Sequence, residues 1–307
     1  MKIFITGATG YIGSSIARAL AGQGHSLLAL TRSPEAETKL VSLSSATNCE
    51  FIRGDVLNGT SIRRGAEKAD AVIHAASPGN ETYAAADNNV IGTVIDAFAG
   101  SGRPFIYTSG IAVHGSTGNK IIDETAPYDP SPMVAFRVDC EKRVKAAAQR
   151  GIRSVVVSPA FVYGLAGGVA ALWFESARDN GIVRYVGDGN NRWSTVHVED
   201  LAELYLLALA KAAPGSAYFG AAGKPVRVHD AALAASEGAG IAGELESIPY
   251  ETARQSMGPF ADLLVLDQQV SGEKAQRELG WKPARPDIVT ELRSGSYAKL
   301  HPATRRS

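Results

Sequence analysis

Two cysteines in 307 residues are too few for a disulfide framework. Cys49 and Cys140 form no spaced pattern, so each is expected as a small buried hydrophobe, and no metal site is expected. Charge of one sign is missing as well. Lys+Arg and Asp+Glu number 31 each, which removes the usual basis for binding nucleic acid or an anionic membrane. No apolar run is of membrane-spanning length. The N-terminus has no signal-peptide architecture, because its apolar residues belong to a first strand, and the expected location is the cytoplasm. Internal repeats and low-complexity linkers are also absent.

What is present fits an ordinary globular enzyme. Hydrophobic residues make up 45% and charged residues 20%, and the length suffices for one large domain and a smaller one. The first thirteen residues carry the most information. The short apolar run Lys2-Ile3-Phe4-Ile5 breaks into Thr6-Gly7-Ala8-Thr9-Gly10-Tyr11-Ile12-Gly13 and passes directly into the helix-like Ser14-Ser15-Ile16-Ala17-Arg18-Ala19-Leu20. Three glycines spaced three apart between a strand and a helix make a dinucleotide-binding turn. Gly7 adopts angles that a side chain forbids, Gly10 lets the main chain approach a pyrophosphate, and Gly13 lets helix and strand pack closely. The phosphates lie over the unpaired N–H groups of the helix start.

Short apolar strands then alternate with helical stretches: residues 26–30, 50–53, 71–74, 105–108 and 153–157 read as strands, with a long charged helix over 133–150. This predicts an α/β fold, a doubly wound parallel Rossmann sheet with a smaller mixed C-terminal substrate domain. The expected division is 1–160 for the dinucleotide-binding domain, completed by a return near 190–212, and 161–307 for the substrate domain, built from about Tyr218 onward after that return.

Several pieces fall at strand ends, where open α/β sheets bind ligands. Asp55 is placed to accept from an adenine amino group, with Val56 against the ring. Ala75, Ala76 and Ser77 leave room for the cofactor, whereas His74 reads as a packed strand-end histidine. At the end of the second strand the chain has Thr31-Arg32-Ser33 and no acid. Arg32 clamps a 2′-phosphate where an acid would repel it, so NADP is favoured over NAD.

Taken in order, these pieces resemble the extended short-chain dehydrogenase/reductase superfamily, the NAD-dependent epimerase/dehydratase type. The resemblance also includes Asn89-Val90-Ile91-Gly92-Thr93, Tyr107-Thr108-Ser109, Pro159-Ala160-Phe161-Val162-Tyr163-Gly164, Val196-His197-Val198-Glu199-Asp200 and Leu279-Gly280-Trp281-Lys282-Pro283. It implies NAD(P) held by Gly7, Thr9, Gly10, Tyr11, Ile12, Gly13, Arg32, Asp55, Val56, Ala75, Ala76, Ser77, Asn89, Thr108, Arg137, Pro159 and Val162. A homodimer through the long helices flanking the sheet is a further family-level expectation.

The resemblance fails at the chemistry. The family uses a Ser after the fifth strand and a Tyr and Lys four residues apart on the next helix. Here Gly110 takes the Ser place, with Ser109 one residue early. Aligned on Glu141, the helix puts Met133 at the Tyr and Arg137 at the Lys. This looks like the atypical branch of the superfamily. Methionine shuttles no proton and arginine holds its own too tightly, so Arg137 is left to hold the ribose and place a fixed charge. Tyr163, His114 and His197 stand as candidate substitutes for the acid, His197 reading rather as a residue that orders the interdomain crossover, with Ser109 as a catalytic candidate beside them. Met133, Arg192 and Trp193 are expected at the substrate.

The expected function is NADP(H)-dependent reduction of a C=O, C=N or activated C=C bond in a small molecule, since hydride transfer needs only the cofactor and an oriented acceptor. The alternatives are a silent NAD(P)-binding sensor and an NAD(P)-dependent epimerase or lyase.

Overall fold

A computed structural model describes residues 1–44, 49–79, 81–241 and 243–300. The chain begins with strands and helices in alternation: β1 (Lys2–Thr6), α1 (Tyr11–Gly22), β2 (Ser26–Thr31), α2 (Pro34–Ser44), β3 (Cys49–Arg53), α3 (Gly59–Glu67), β4 (Ala71–His74), α4 (Tyr83–Phe98), β5 (Pro104–Thr108) and α5 (Phe136–Ala146). Next come β6 (Arg153–Pro159), β7 (Phe161–Tyr163), α6 (Ala170–Asn180), β8 (Val183–Val186), β9 (Arg192–His197), α7 (Val198–Lys211) and β10 (Ser216–Gly220). The remainder holds β11 (Ala222–Arg227), α8 (Val228–Gly238), β12 (Leu245–Ile248) and the short helices α9 (Tyr250–Met257), α10 (Phe260–Leu264), α11 (Glu273–Leu279), α12 (Ile288–Ser294) and α13 (Ser296–Leu300).

Seven strands form one sheet in the order β10-β6-β5-β4-β1-β2-β3. Every pairing in it is parallel. This is the doubly wound Rossmann arrangement. The strand order reverses beside β1, which opens a crevice at the C-terminal strand ends. Side-chain alternation along β1 shows why the sheet is covered on both faces. Ile3 and Ile5 enter one buried layer with α1 and α7, whereas Phe4 enters the other with α3 and α4. Gly65 admits α3 to that second layer, because a Cβ there would lie 2.3 Å from the Phe4 ring.

A smaller three-stranded sheet, β11-β9-β7, is mixed: β9 runs antiparallel to β11 and parallel to β7. A parallel pair, β12 and β8, accompanies it. A third apolar cluster, with Trp173, Phe174, Tyr185, Trp193 and Tyr297, packs these elements. Two expectations are corrected here. The return to the large sheet runs through Gly220, so Tyr218 belongs to that sheet's edge strand and not to the smaller unit. The helix expected over 133–150 starts at Phe136 and ends in a 3-10 turn over 147–150.

The return is locked by Asp200. Its carboxylate accepts from the backbone N–H groups of Ala284 and Arg285, and its carbonyl accepts from the Trp281 indole. The two C-terminal segments of the family resemblance therefore meet across α7.

Beneath the crevice runs a buried polar chain. Thr6 Oγ1 lies 2.7 Å from His74 Nδ1, and His74 Nε2 lies 3.2 Å from Asp87 Oδ1. The Tyr107 hydroxyl donates to Asp87 Oδ2 at 2.5 Å. His74 is thus a packed strand-end histidine with both ring nitrogens engaged. Burial alone would push the Asp87 carboxyl up; the bond and charge of His74, the nearby Arg137 charge and the Tyr107 hydroxyl outweigh it and hold Asp87 below the usual aspartate range. A carboxyl depressed in the folded state stabilises above its unfolded pKa, about 4, and that contribution disappears as pH falls through the folded value. Asp87→Asn is expected to cost about 2–3 kcal/mol at neutral pH. Denaturant melts at neutral and acid pH check this: the gap to the wild type should shrink below about pH 4, and a constant gap contradicts the charge argument.

Candidate functional site

The turn after β1 builds the first half of the site. Gly7 has φ +77°, and a Cβ on it would lie 2.6 Å from the Ala75 and Ala76 backbone. The end of β4 therefore presses directly on the turn. A Cβ on Gly13 would lie 2.0 Å from the Gly7 carbonyl oxygen, so the first turn of α1 sits as close to the strand as backbone allows. Gly10 differs. The nearest atom to such a Cβ is the Gly7 carbonyl oxygen at 3.2 Å, a tight contact that a shift of a few tenths of an ångström relieves. Gly10 N–H donates back to the Gly7 carbonyl at 2.9 Å, and α1 begins with no side-chain cap and no acid in its first turn. Its free N–H groups and dipole face an open space suited to an anion.

That space is a cavity of about 450 Å³. Gly7, Thr9, Gly10, Tyr11, Ile12 and Gly13 line it, together with Arg32, Asp55, Val56, Ala75, Ala76 and Ser77. Most of the positions expected to hold a dinucleotide are thus brought to one place. Arg32 is exposed at its rim. Asp55 keeps one carboxylate oxygen on the Leu57 N–H at 2.9 Å and presents itself to the cavity with the other still to use. A glycine cradle that Cβ atoms would fill, ending on an uncapped helix, fits a pyrophosphate; the residues present match the dinucleotide that the fold implies.

Asn89 and Thr108 stand elsewhere, as braces outside the cavity wall. Asn89 Nδ2 donates to the Val56 carbonyl at 2.6 Å and so holds the adenine-side loop. The Thr108 hydroxyl accepts from the Tyr205 hydroxyl at 2.7 Å, and its carbonyl accepts from the Arg137 guanidinium at 3.2 Å. Arg137 is half-buried at the C-terminal end of β5. Burial opposes its charge, but Tyr107 and Asp87 beside it outweigh that and raise its pKa above the usual arginine value. It is a fixed cation.

Pro159 and Val162 line a second cavity, of about 310 Å³, in place of the dinucleotide cavity where they were expected. Tyr11 stands in the wall of both. Its hydroxyl donates to the Gly164 carbonyl at 2.7 Å. Gly167 and Gly168 lie so close to its ring that a Cβ on either would come within 2.3 and 3.0 Å. Trp193 stands in this second wall. It is 5% exposed, and Phe161 and Trp173 lie near-parallel to it at ring-centroid distances of 3.9 and 5.8 Å.

Other candidates do not reach the cavities. The Tyr163 hydroxyl donates to the Pro286 carbonyl at 2.7 Å, and burial pushes its pKa well up. His114 is buried, with Nδ1 on the Pro127 carbonyl at 2.9 Å and its ring stacked on Tyr128. Both are fixed structural contacts, which corrects their reading as substitute acids. Arg192 is corrected as well: it is tied to Asp267, with Nη2 3.1 Å from Oδ2, and to the Asn119 amide oxygen. Met133 is half-buried and lines neither cavity. Ser109 Oγ is buried without a partner, one residue before Gly110 in the second wall.

Sequence reasoning missed the rest of that wall. Phe260, Leu263, Leu264 and Leu266 come from a late helix and its exit, and Gln268 spans from there to the Ile111 and Gly115 carbonyls. Apolar residues without spacing give no motif; the bridge pairing Trp193 with Gln268 and the Asn191 amide bonds to the Leu264 and Leu266 carbonyls bring them in. Among the described residues, no group of three or more His, Cys, Asp and Glu could hold a metal ion, and no helix is long and apolar enough to cross a membrane.

A parallel sheet whose switch point carries this turn defines a dinucleotide-binding protein of the Rossmann class. Residues 3–219 match the NAD dependent epimerase/dehydratase family, and the chain belongs to that family. An uncharacterized protein of Schizosaccharomyces pombe (strain 972 / ATCC 24843) is 33% identical over 308 residues, covering 97% of this chain and 100% of the relative. The 4-hydroxy-2-methyl-3-oxo-4-farnesyl-3,4-dihydroquinoline-1-oxide ketoreductase of Stigmatella aurantiaca is 29% identical over 310 residues, 92% of each chain. Among solved structures, the dTDP-glucose 4,6-dehydratase DesIV of Streptomyces venezuelae, with NAD and TYD bound, superposes with a TM-score of 0.83 at 19% identity. The match covers 98% of this chain and 97% of that one, and shows the shared fold.

The glycine geometry separates folding from binding. Gly10→Ala is expected to lower the melting temperature less than Gly13→Ala does and to weaken dinucleotide binding severalfold or more, because its Cβ enters the phosphate space. Gly13→Ala is expected to destabilise the whole fold by about 1–3 kcal/mol through overpacking. Melting curves and cofactor titrations of the two variants check this. Equal losses of stability would contradict the assigned phosphate path.

Proposed function

We propose that the protein is an NADP(H)-dependent reductase of a C=O, C=N or activated C=C bond in a small organic molecule, working without the tyrosine acid of its superfamily. One observation carries the reading: an apolar cavity with no carboxyl, imidazole or ammonium group in its wall adjoins the glycine cavity through Tyr11. The cofactor, when bound, supplies the hydride. The glycine turn and the α1 N-terminus hold its pyrophosphate. Arg32, at the end of β2 with Ser33 beside it, takes the 2′-phosphate as a planar donor. Arg137 adds a fixed positive charge at the end of β5. The ketoreductase among the relatives is a reductase by name and agrees with this direction of chemistry.

The one phenol in the substrate wall, Tyr11, donates to the Gly164 carbonyl and is pushed by burial far above the usual tyrosine range, so it is a poor proton donor to substrate. An iminium acceptor needs none, and a carbonyl takes its proton from solvent after hydride arrives.

Titration with both cofactors tests the first part. NADPH should bind about tenfold to a hundredfold more tightly than NADH, the equivalent of a charge-assisted hydrogen bond, and Arg32→Ala should erase the difference. Equal affinities in the wild type would remove the NADP assignment. A panel of carbonyl and iminium compounds tests the second part. Arg137→Ala should lower turnover and cofactor affinity together, with partial recovery in Arg137→Lys. No turnover on any member would favour a cofactor-binding sensor instead.

A further inference from the structure

The second cavity limits what the substrate is. None of its wall side chains is charged. The polar ones are almost all engaged. Tyr11 donates to Gly164, Ser194 exchanges bonds with the Val270 backbone, and the Gln268 amide donates to two carbonyls. The exception is the Trp193 indole N–H, which is buried and has no partner. The near-parallel stack with Phe161 and Trp173 fixes that ring, so the direction of the unmet donor is fixed too. Arg192, the nearest cation in sequence, is held on Asp267.

A charged group entering such a wall loses its hydration and gains no counter-charge, which costs far more than apolar contact returns. We infer that the substrate is an uncharged, largely apolar carbonyl compound small enough for a cavity of about 310 Å³, and not a nucleotide sugar. This deepens the reductase reading and depends on it only for the word substrate, since binding is read without turnover.

Calorimetric titration of the full chain, with NADP⁺ present so that the dinucleotide site is filled, compares indanone, indanone bearing a ring carboxylate, and UDP-glucose. Indanone should bind, the carboxylate at least about tenfold more weakly, and UDP-glucose should give no signal. Leu263→Lys should reverse the order of indanone and its carboxylate. UDP-glucose or the carboxylate binding as tightly as indanone overturns the inference, as does failure of indanone to bind a protein that holds NADP⁺. A protein that binds indanone yet never reduces it overturns the reductase reading and leaves this one standing.

Discussion

The backbone of the turn after β1 lies against the end of β4 with no space for even a methyl group between them. That contact, Gly7 on Ala75 and Ala76, sets the geometry of the rest. It puts the first turn of α1 under the C-terminal strand ends, leaves its N–H groups open, and sends Tyr11 into the crevice as the shared wall of two cavities. The Tyr11 ring then determines what can pack beyond it, since only Gly167 and Gly168 fit alongside. Polar binding on one side and apolar binding on the other follow from one close backbone approach.

The catalytic end shows a different economy. Where the superfamily carries a tyrosine and a lysine, this chain carries a half-buried arginine kept charged by Asp87 and Tyr107, and the same Asp87 fixes His74. The charge near the end of β5 is therefore supported from beneath by a buried polar chain. Such a cation orients and stabilises but does not exchange protons at ordinary pH. Tyr163 and His114, read from the sequence as substitutes for the acid, are fixed on the Pro286 and Pro127 carbonyls.

Much of this was legible in the residues. The glycine turn, Asp55-Val56, Ala75-Ala76 and Arg32 lie where spacing and strand ends placed them, because short-range backbone rules fix a strand–turn–helix unit. His74 read correctly for the same reason. The cavity lined by α10 was not legible: leucines and a phenylalanine distant in sequence have no spacing that announces a shared wall, and only tertiary packing assembles them. Arg192 misled because its charge suggested a ligand, whereas Asp267, 75 positions away, is its partner. Tyr218 was assigned to the smaller unit because an edge strand of a parallel sheet reads locally like any other short apolar run. Trp193 was named from its loop, but its stack with Phe161 and Trp173 in the cavity wall is a property of the fold.

The central claim is that hydride transfer here proceeds without a proton-donating side chain. The direct measurement is the single-turnover rate of NADPH oxidation by a bound ketone, followed from about pH 6 to pH 9. The account predicts a profile with no limb assignable to a protein group, unchanged in Tyr163→Phe and His114→Ala variants that remain folded. A limb that disappears in either variant would contradict it.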